Sequence, residues 1–187
     1  MLKKGSGKQA SGTKSMYSDT IIVQDKFIEN RGSIYTVYDR RNVPHDINFV
    51  QDKVSKSFQG VVRGFHGDDE TWKLISCLYG TIKLVTYNID KDVKRTYILD
   101  SEDIVNKSVL VPPRTLNAHQ CLSTSCIFHY KWSEYYTNPE NQWSVCYNDL
   151  DIDPCWDPRY PPIVSERDKN SLTLKELKNH VNSTTTN

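Results

Sequence analysis

His66 and Arg63 are the residues whose setting in this sequence most needs a chemical explanation. They lie in the run from Gln59 to Asp68, where Val61, Val62 and Phe65 alternate with glycines at 60, 64 and 67. Trp72, Lys73, Leu74 and Ile75 follow. The stretch from Cys77 to Asn88 then places Leu78, Ile82, Leu84 and Val85 around a glycine at 80. Short apolar runs punctuated by glycine read as successive β-strands with no helix between them. A histidine and an arginine on such strands point either to solvent or into the interior of a β-barrel, where an ionisable group needs a partner or a task to offset its desolvation. Proton transfer is the task that fits an imidazole.

The elements that must carry these residues are legible on both sides. Residues 1–18 are lysine, glycine and serine with almost nothing to bury, the composition of a disordered tail or linker. Thr20–Gln24 is a short β-branched strand, Arg31 and Gly32 make a turn, and Ser33–Tyr38 is the return strand. Beyond a polar loop at Pro44, Ile47–Gln51 is strand-like and leads to Val54–Phe58. Lys94–Leu99 and Val109–Pro112 are further strands, and Pro113–His119 reads as a turning segment before the strand Cys126–Trp132. The remainder is rich in proline, at 139, 154, 158, 161 and 162, and is expected to wrap the barrel more than extend its sheets. Ser171–His180 is the one helix expected, with leucines at 172, 174 and 177 and Ser171 as its cap. Residues 181–187 are expected to fray, which leaves a single domain over 19–180. Many short antiparallel strands indicate a two-sheet jelly roll, the all-β architecture that includes the cupin double-stranded β-helix.

Bulk composition narrows the function classes. A chain of 187 residues, 37% hydrophobic, suits one buried core. Its 24 basic and 23 acidic residues are intermixed, which argues against a nucleic-acid partner. No apolar run approaches the roughly 18 residues of a membrane span, and no secretory leader pattern is present, so a cytoplasmic protein without a membrane partner is expected. The five cysteines form no Cys-x-x-Cys pair and are odd in number, so they are expected to be reduced thiols, mostly buried.

A metal-binding cupin needs more ligands than this chain offers. Gly60 and His66 fit the start of such a motif, but Asp68 stands where a second histidine belongs and Glu70 lies too close behind it. Only His119 remains as a firm ligand further on. Two imidazoles and a displaced carboxylate fall short of the three protein ligands of a catalytic site. No metal and no other cofactor is therefore expected.

With metal set aside, the arrangement resembles the dTDP-4-dehydrorhamnose 3,5-epimerase family, metal-free cupins that epimerise nucleotide-linked 4-keto sugars. The resemblance spans about Phe27 to Asp168. It rests on Phe27 with Arg31 and Gly32; Phe49, Val50 and Gln51 followed by Ser55 and Ser57; Gly60 through Arg63 to His66; Lys73; Gly80 with Ile82; Val111 and Pro112; and Ala118 with His119. It continues through Tyr130, Tyr135 and Tyr136, Asn148 and Asp149, Trp156, and Ile163 to Asp168. Each piece alone is weak, and their order makes the signal specific.

The resemblance implies roles that the residue types can fill. A ketone at C4 acidifies the neighbouring C–H bonds, so inversion at C3 or C5 needs a base on one face, an acid on the other and a positive group at the enolate oxygen. His66 would be the base, with Asp168 fixing its tautomer and stabilising the imidazolium. Tyr130 would be the acid, with Tyr135 either an alternative acid or a platform for the nucleotide base. Lys73 and His119 would face the enolate oxygen. Arg63 and Gln51 suit sugar or diphosphate contacts, and Phe27 and Arg31 would reach the site of a neighbour in a homodimer. Three departures stand out: Gly67 and Asp68 replace an aromatic pair, Asn117 replaces a phenylalanine, and Lys53 replaces an asparagine. The first two look more like the branch acting on GDP-linked 6-deoxy-4-keto-heptoses for bacterial capsules, with Asn117 and a small neighbour making room for an extra hydroxymethylene. The expected substrate is thus a GDP- or dTDP-linked 4-keto-6-deoxy sugar. The rival activities are a 3,4-ketoisomerase of similar fold and a sugar-binding cupin without chemistry.

Overall fold

The computed structural model describes residues 17–184. Nearly all of the tail expected at the N-terminus, and residues 185–187 of the one expected at the C-terminus, lie outside the described residues. Tyr17, which composition assigned to the tail, packs its ring against His45 and Trp72 at 4.7 and 5.0 Å.

The strands are β1 (Thr20–Glu29), β2 (Gly32–Tyr35), β3 (Gln51–Phe58), β4 (Val62–Gly67), β5 (Lys73–Tyr79), β6 (Thr81–Asn88), β7 (Val93–Asp100), β8 (Val105–Val111), β9 (Thr115–Cys121), β10 (Ser125–Trp132) and β11 (Trp143–Ser144). They form a six-stranded sheet in the order β2-β1-β8-β5-β10-β3 and a five-stranded sheet in the order β11-β4-β9-β6-β7. Every pairing between strands is antiparallel. This is the predicted jelly roll.

Alternation along the strands distributes the apolar side chains over three layers. Ile75, Cys77, Ile82, Leu84, Val109, Val111 and Phe128 share the interior. Ile22, Leu74 and Leu110 face outward from the large sheet and are covered by Val43 and Ile47. Phe65, Val85, Tyr87 and Leu116 face outward from the small sheet beneath Ile152, Leu174, Leu177 and Val181. The proline-rich C-terminal stretch supplies that last cover and adds only the two residues of β11 to a sheet.

Three local expectations need correction. Ile47–Val50 is not a strand, because Ile47 is spent on covering the large sheet and β3 begins only at Gln51. The segment read as a turn contains β9, which pairs with both β4 and β6. The helix α2 runs Leu174–Thr184, beyond the boundary set at 180. Its cap is Thr173, whose Oγ1 accepts the Glu176 N–H at 3.2 Å while a Glu176 carboxylate oxygen accepts the Thr173 N–H at 2.7 Å. Its extra turn is held because Val181 is buried in the same cluster as Leu174 and Leu177. A second, four-residue helix, α1 (Glu166–Lys169), was not anticipated.

Among the described residues no helix is long and apolar enough to cross a membrane. All five cysteines are free; Cys77, Cys121 and Cys126 are buried, Cys146 is half-buried and Cys155 exposed.

Candidate active site

On a regular strand, residues three apart point to opposite faces. Arg63 and His66 nevertheless both line a cavity of about 260 Å³ between the two sheets. The register of β4 against β9 shifts between them, so the intervening bulge brings His66 back to the face of Arg63. Phe65 meanwhile turns outward into the core beneath α2. Gly64 permits this. Its φ is +115°, and a Cβ there would come within 2.6 Å of Asn117 O and 2.7 Å of Ala118 Cα.

The Gly64 N–H also donates to Asp168 Oδ2 at 3.2 Å, while Asp168 Oδ1 lies 2.9 Å from His66 Nε2. Ser165 caps α1 by accepting the Asp168 N–H at 3.2 Å, which fixes the backbone that carries the carboxylate. Burial pushes the Asp168 carboxyl up, but the hydrogen bond and charge of His66, with Gly64 N–H and Ser165, outweigh it and hold the group below its ordinary value. An ionised carboxylate can only accept, so in the neutral imidazole Nε2 carries the proton and Nδ1 keeps the lone pair.

Lys73, at the start of β5, is 3% exposed. Its Nζ donates to Asn117 Oδ1 at 3.1 Å and His66 O at 3.4 Å, and lies 4.9 Å from the centre of the Trp132 ring. Burial pushes its ammonium down to about 8, with Asp68 opposing and Lys53 adding to the shift. His119 stacks on Phe128 at 4.0 Å and 9°. Burial, reinforced by Arg63 and His66, pushes it down to about 3, and its buried Nε2 has no partner among the described residues. It therefore meets the cavity as an uncharged ring, and of the two groups assigned to the enolate oxygen only Lys73 brings a charge.

Tyr130 comes from β10 in the large sheet, across the cavity from His66 and Asp168, which are held by β4 of the small sheet and by α1. Its ring lies between Phe128 and Trp132, at 5.0 and 5.7 Å. Burial raises its phenol above the ordinary value, Tyr136 adding and Arg63 opposing. A protonated phenol and an imidazole with a free Nδ1 lone pair thus line one cavity from different sheets.

The structure brings His66, Asp168, Lys73, Tyr130, Arg63, Asn117 and His119 to one cavity. Four other assigned residues lie elsewhere in this chain. Phe27 and Arg31 sit on the β1–β2 hairpin, exposed, with Arg31 ion-paired to Glu29. Gln51 accepts the Tyr136 N–H at 2.9 Å and so positions the loop after β10 instead of lining the cavity. Tyr135 lines a neighbouring cavity of about 350 Å³ with Asp68, Glu70 and Glu134. It is Tyr136 that faces both. Lys53, Trp132 and Arg167 also line the site unassigned. Lys53 could have been found from parity, since it stands two residues from both Gln51 and Ser55 on one face of β3.

The small residue at 67 does not enlarge the site. A Cβ there would point at Thr115 O, 2.9 Å away, so Gly67 serves the close approach of β4 to β9. Asp68 closes a turn by accepting the N–H groups of Glu70 and Thr71 at 3.0 and 2.6 Å. Among the described residues no three His, Cys, Asp or Glu side chains gather as metal ligands.

The family model described as dTDP-4-dehydrorhamnose 3,5-epimerase matches residues 15–176. The chain is 31% identical over 172 residues to the dTDP-4-dehydrorhamnose 3,5-epimerase of Escherichia coli K12, covering 85% of this chain and 91% of that protein. The structure of the Bacillus anthracis enzyme of the same description, with TDP and PPi bound, superposes with a TM-score of 0.74 at 28% identity, over 83% of this chain and 93% of that one. The Legionella pneumophila dTDP-6-deoxy-D-glucose-3,5-epimerase superposes with a TM-score of 0.80 at 24% identity, over 90% and 94% of the two chains.

Proposed function

The chain belongs to the dTDP-4-dehydrorhamnose 3,5-epimerase family, and from that premise we propose that it inverts C3, C5 or both of a nucleotide-diphosphate-linked 4-keto-6-deoxy sugar through an enolate. The observation that carries this reading is the pair of groups suited to proton transfer, His66 and Tyr130, on opposing sheets of one cavity that also holds the Lys73 ammonium. His66 Nδ1 takes the proton from the carbon next to the ketone, and Asp168 stabilises the imidazolium that results. The electron pair moves onto O4, where the Lys73 ammonium and the unpartnered His119 Nε2 supply positive charge and a hydrogen bond in a site largely shielded from water. Tyr130 returns a proton to the other face and is left a phenolate; before the next turnover solvent reprotonates the phenolate and takes the proton from the His66 imidazolium. A general acid of this kind contributes about 10²–10⁴-fold.

The names of the relatives support a dTDP-linked substrate. Asn117, whose Oδ1 is taken by Lys73, keeps its amide N–H groups for a sugar hydroxyl, which suits the GDP-linked heptose alternative. Phe27 and Arg31 do not reach the cavity of their own chain. We assign them to the cavity of a second copy in a homodimer, to which the exposed Phe27, Ile28 and Ile34 would be buried.

Incubating the protein in deuterium oxide with dTDP- and GDP-linked 4-keto-6-deoxy sugars, hexose and heptose, tests the reading. Deuterium at C3 or C5 with the ketone still at C4 is expected. A carbonyl moved to C3 would make it a ketoisomerase, and binding without exchange would leave a sugar-binding module.

A further inference from the structure

Lys53 is the cation of the cavity whose needs the protein itself does not meet. Arg63 Nε donates to Ser57 Oγ at 3.1 Å, Arg167 donates to Ser144 Oγ at 2.7 Å and Pro139 O at 3.1 Å, and Lys73 has Asn117 and His66. The Lys53 ammonium meets only aromatic faces, with Tyr136 at 3.3 Å, Trp132 at 5.0 Å and Tyr130 at 5.8 Å from ring centre. Among the described residues no oxygen accepts from it. Ring faces attract an ammonium but replace only part of the hydration lost on half-burial, and burial holds the group below its ordinary value. Two residues further along the same strand face, Ser55 Oγ is buried with no partner among the described residues. A cation without an acceptor and a hydroxyl without a partner thus stand side by side on β3, the edge strand of the large sheet.

We propose that Lys53 binds the diphosphate of the substrate, its ammonium moving from the aromatic faces to a phosphate oxygen while the Ser55 hydroxyl donates beside it. This rests on the reading of the substrate as a nucleotide-diphosphate sugar. Charge favours it, since four cationic side chains line the cavity against the single carboxylate of Asp168. Position favours it too. Lys73 already stands beside His66, so a second ammonium at the enolate oxygen would only repel the first, and the diphosphate is the other anionic part of the substrate left for Lys53 on the edge strand β3. An ammonium on a flexible stem can follow it as a point charge.

Calorimetric titration of dTDP, GDP, thymidine and guanosine into the wild-type protein, Lys53→Met and Lys53→Arg tests this without turnover. Lys53→Met keeps the apolar stem and removes the charge. It is expected to weaken the nucleoside diphosphate about 10- to 100-fold, the worth of a charge-assisted hydrogen bond. The parent nucleoside should bind as before, the dependence on salt should flatten, and Lys53→Arg should stay near wild type. In steady state the loss should fall on KM. Wild-type affinity in Lys53→Met, an equal loss of nucleoside and diphosphate, or failure of the wild-type protein to bind either diphosphate would overturn the proposal. Because nothing reacts in this titration, diphosphate binding that depends on Lys53 alongside absent deuterium exchange would sink only the epimerase reading.

Discussion

Lys73 is the residue at which chemistry and stability pull in opposite directions with pH. Its ammonium is pushed from 10.5 to about 8 by burial, so the charge proposed for the enolate oxygen is present below that value and lost as pH rises through it. Between about 8 and 10.5 the unfolded chain binds a proton that the folded chain has released, so this group makes the fold more stable with rising pH over that window. Turnover expressed as kcat/KM is therefore expected to fall about tenfold per pH unit above about 8. Lys73→Arg should move the limb upward, because a guanidinium stays charged. The Tyr130 phenol titrates higher still, so a profile flat up to the phenol range would take the role from Lys73. The sequence is informative where spacing is fixed by strands: Arg63, His66, Lys73 and Tyr130 stand on β-strands and line one cavity. It is silent on which of Tyr135 and Tyr136 lines the cavity of His66, because β10 ends at Trp132 and the loop beyond it has no period.

Among the elements, the bulge in β4 decides whether there is a site at all. Gly64 supplies a backbone conformation open mainly to glycine, a close approach to Ala118 and an N–H for Asp168. Gly64→Ala is expected to cost about 1–3 kcal/mol for the strained backbone alone, with more from the displaced β9, and to reduce exchange by separating His66 from Asp168. A variant with unchanged melting temperature and rate would show that β4 tolerates the Cβ. The bulge is invisible to a reading by period two, which sends residues 63 and 66 to opposite faces. β9 was missed for a related reason. Its inward positions carry Asn117 and His119, so the apolar alternation that marks a strand is broken where the chain was given over to the site. By contrast, the true start and end of α2 were both legible: Thr173 and Glu176 form a capping box, and Leu174, Leu177 and Val181 keep the helical period.

For the molecule as a whole, the cavity takes His66 from one sheet and Tyr130 from the other, and the hairpin of β1 and β2 leaves Phe27, Ile28 and Ile34 uncovered. A dimer is expected by light scattering at micromolar concentration, and Phe27→Asp should shift it towards monomer; a wild-type monomer would contradict the shared site. The proposed separation of base and acid onto opposing sheets is tested by deuterium incorporation and configuration at C3 and C5, followed by NMR, for the wild-type protein, His66→Asn and Tyr130→Phe. Removing the imidazole should abolish exchange, since no enolate forms. Tyr130→Phe keeps the ring and its packing, so the enolate should still form and be reprotonated by His66 on its original face, giving deuterium with retained configuration and little epimer. Substantial exchange in His66→Asn, or normal epimer formation by Tyr130→Phe, would contradict the assignment of the two walls.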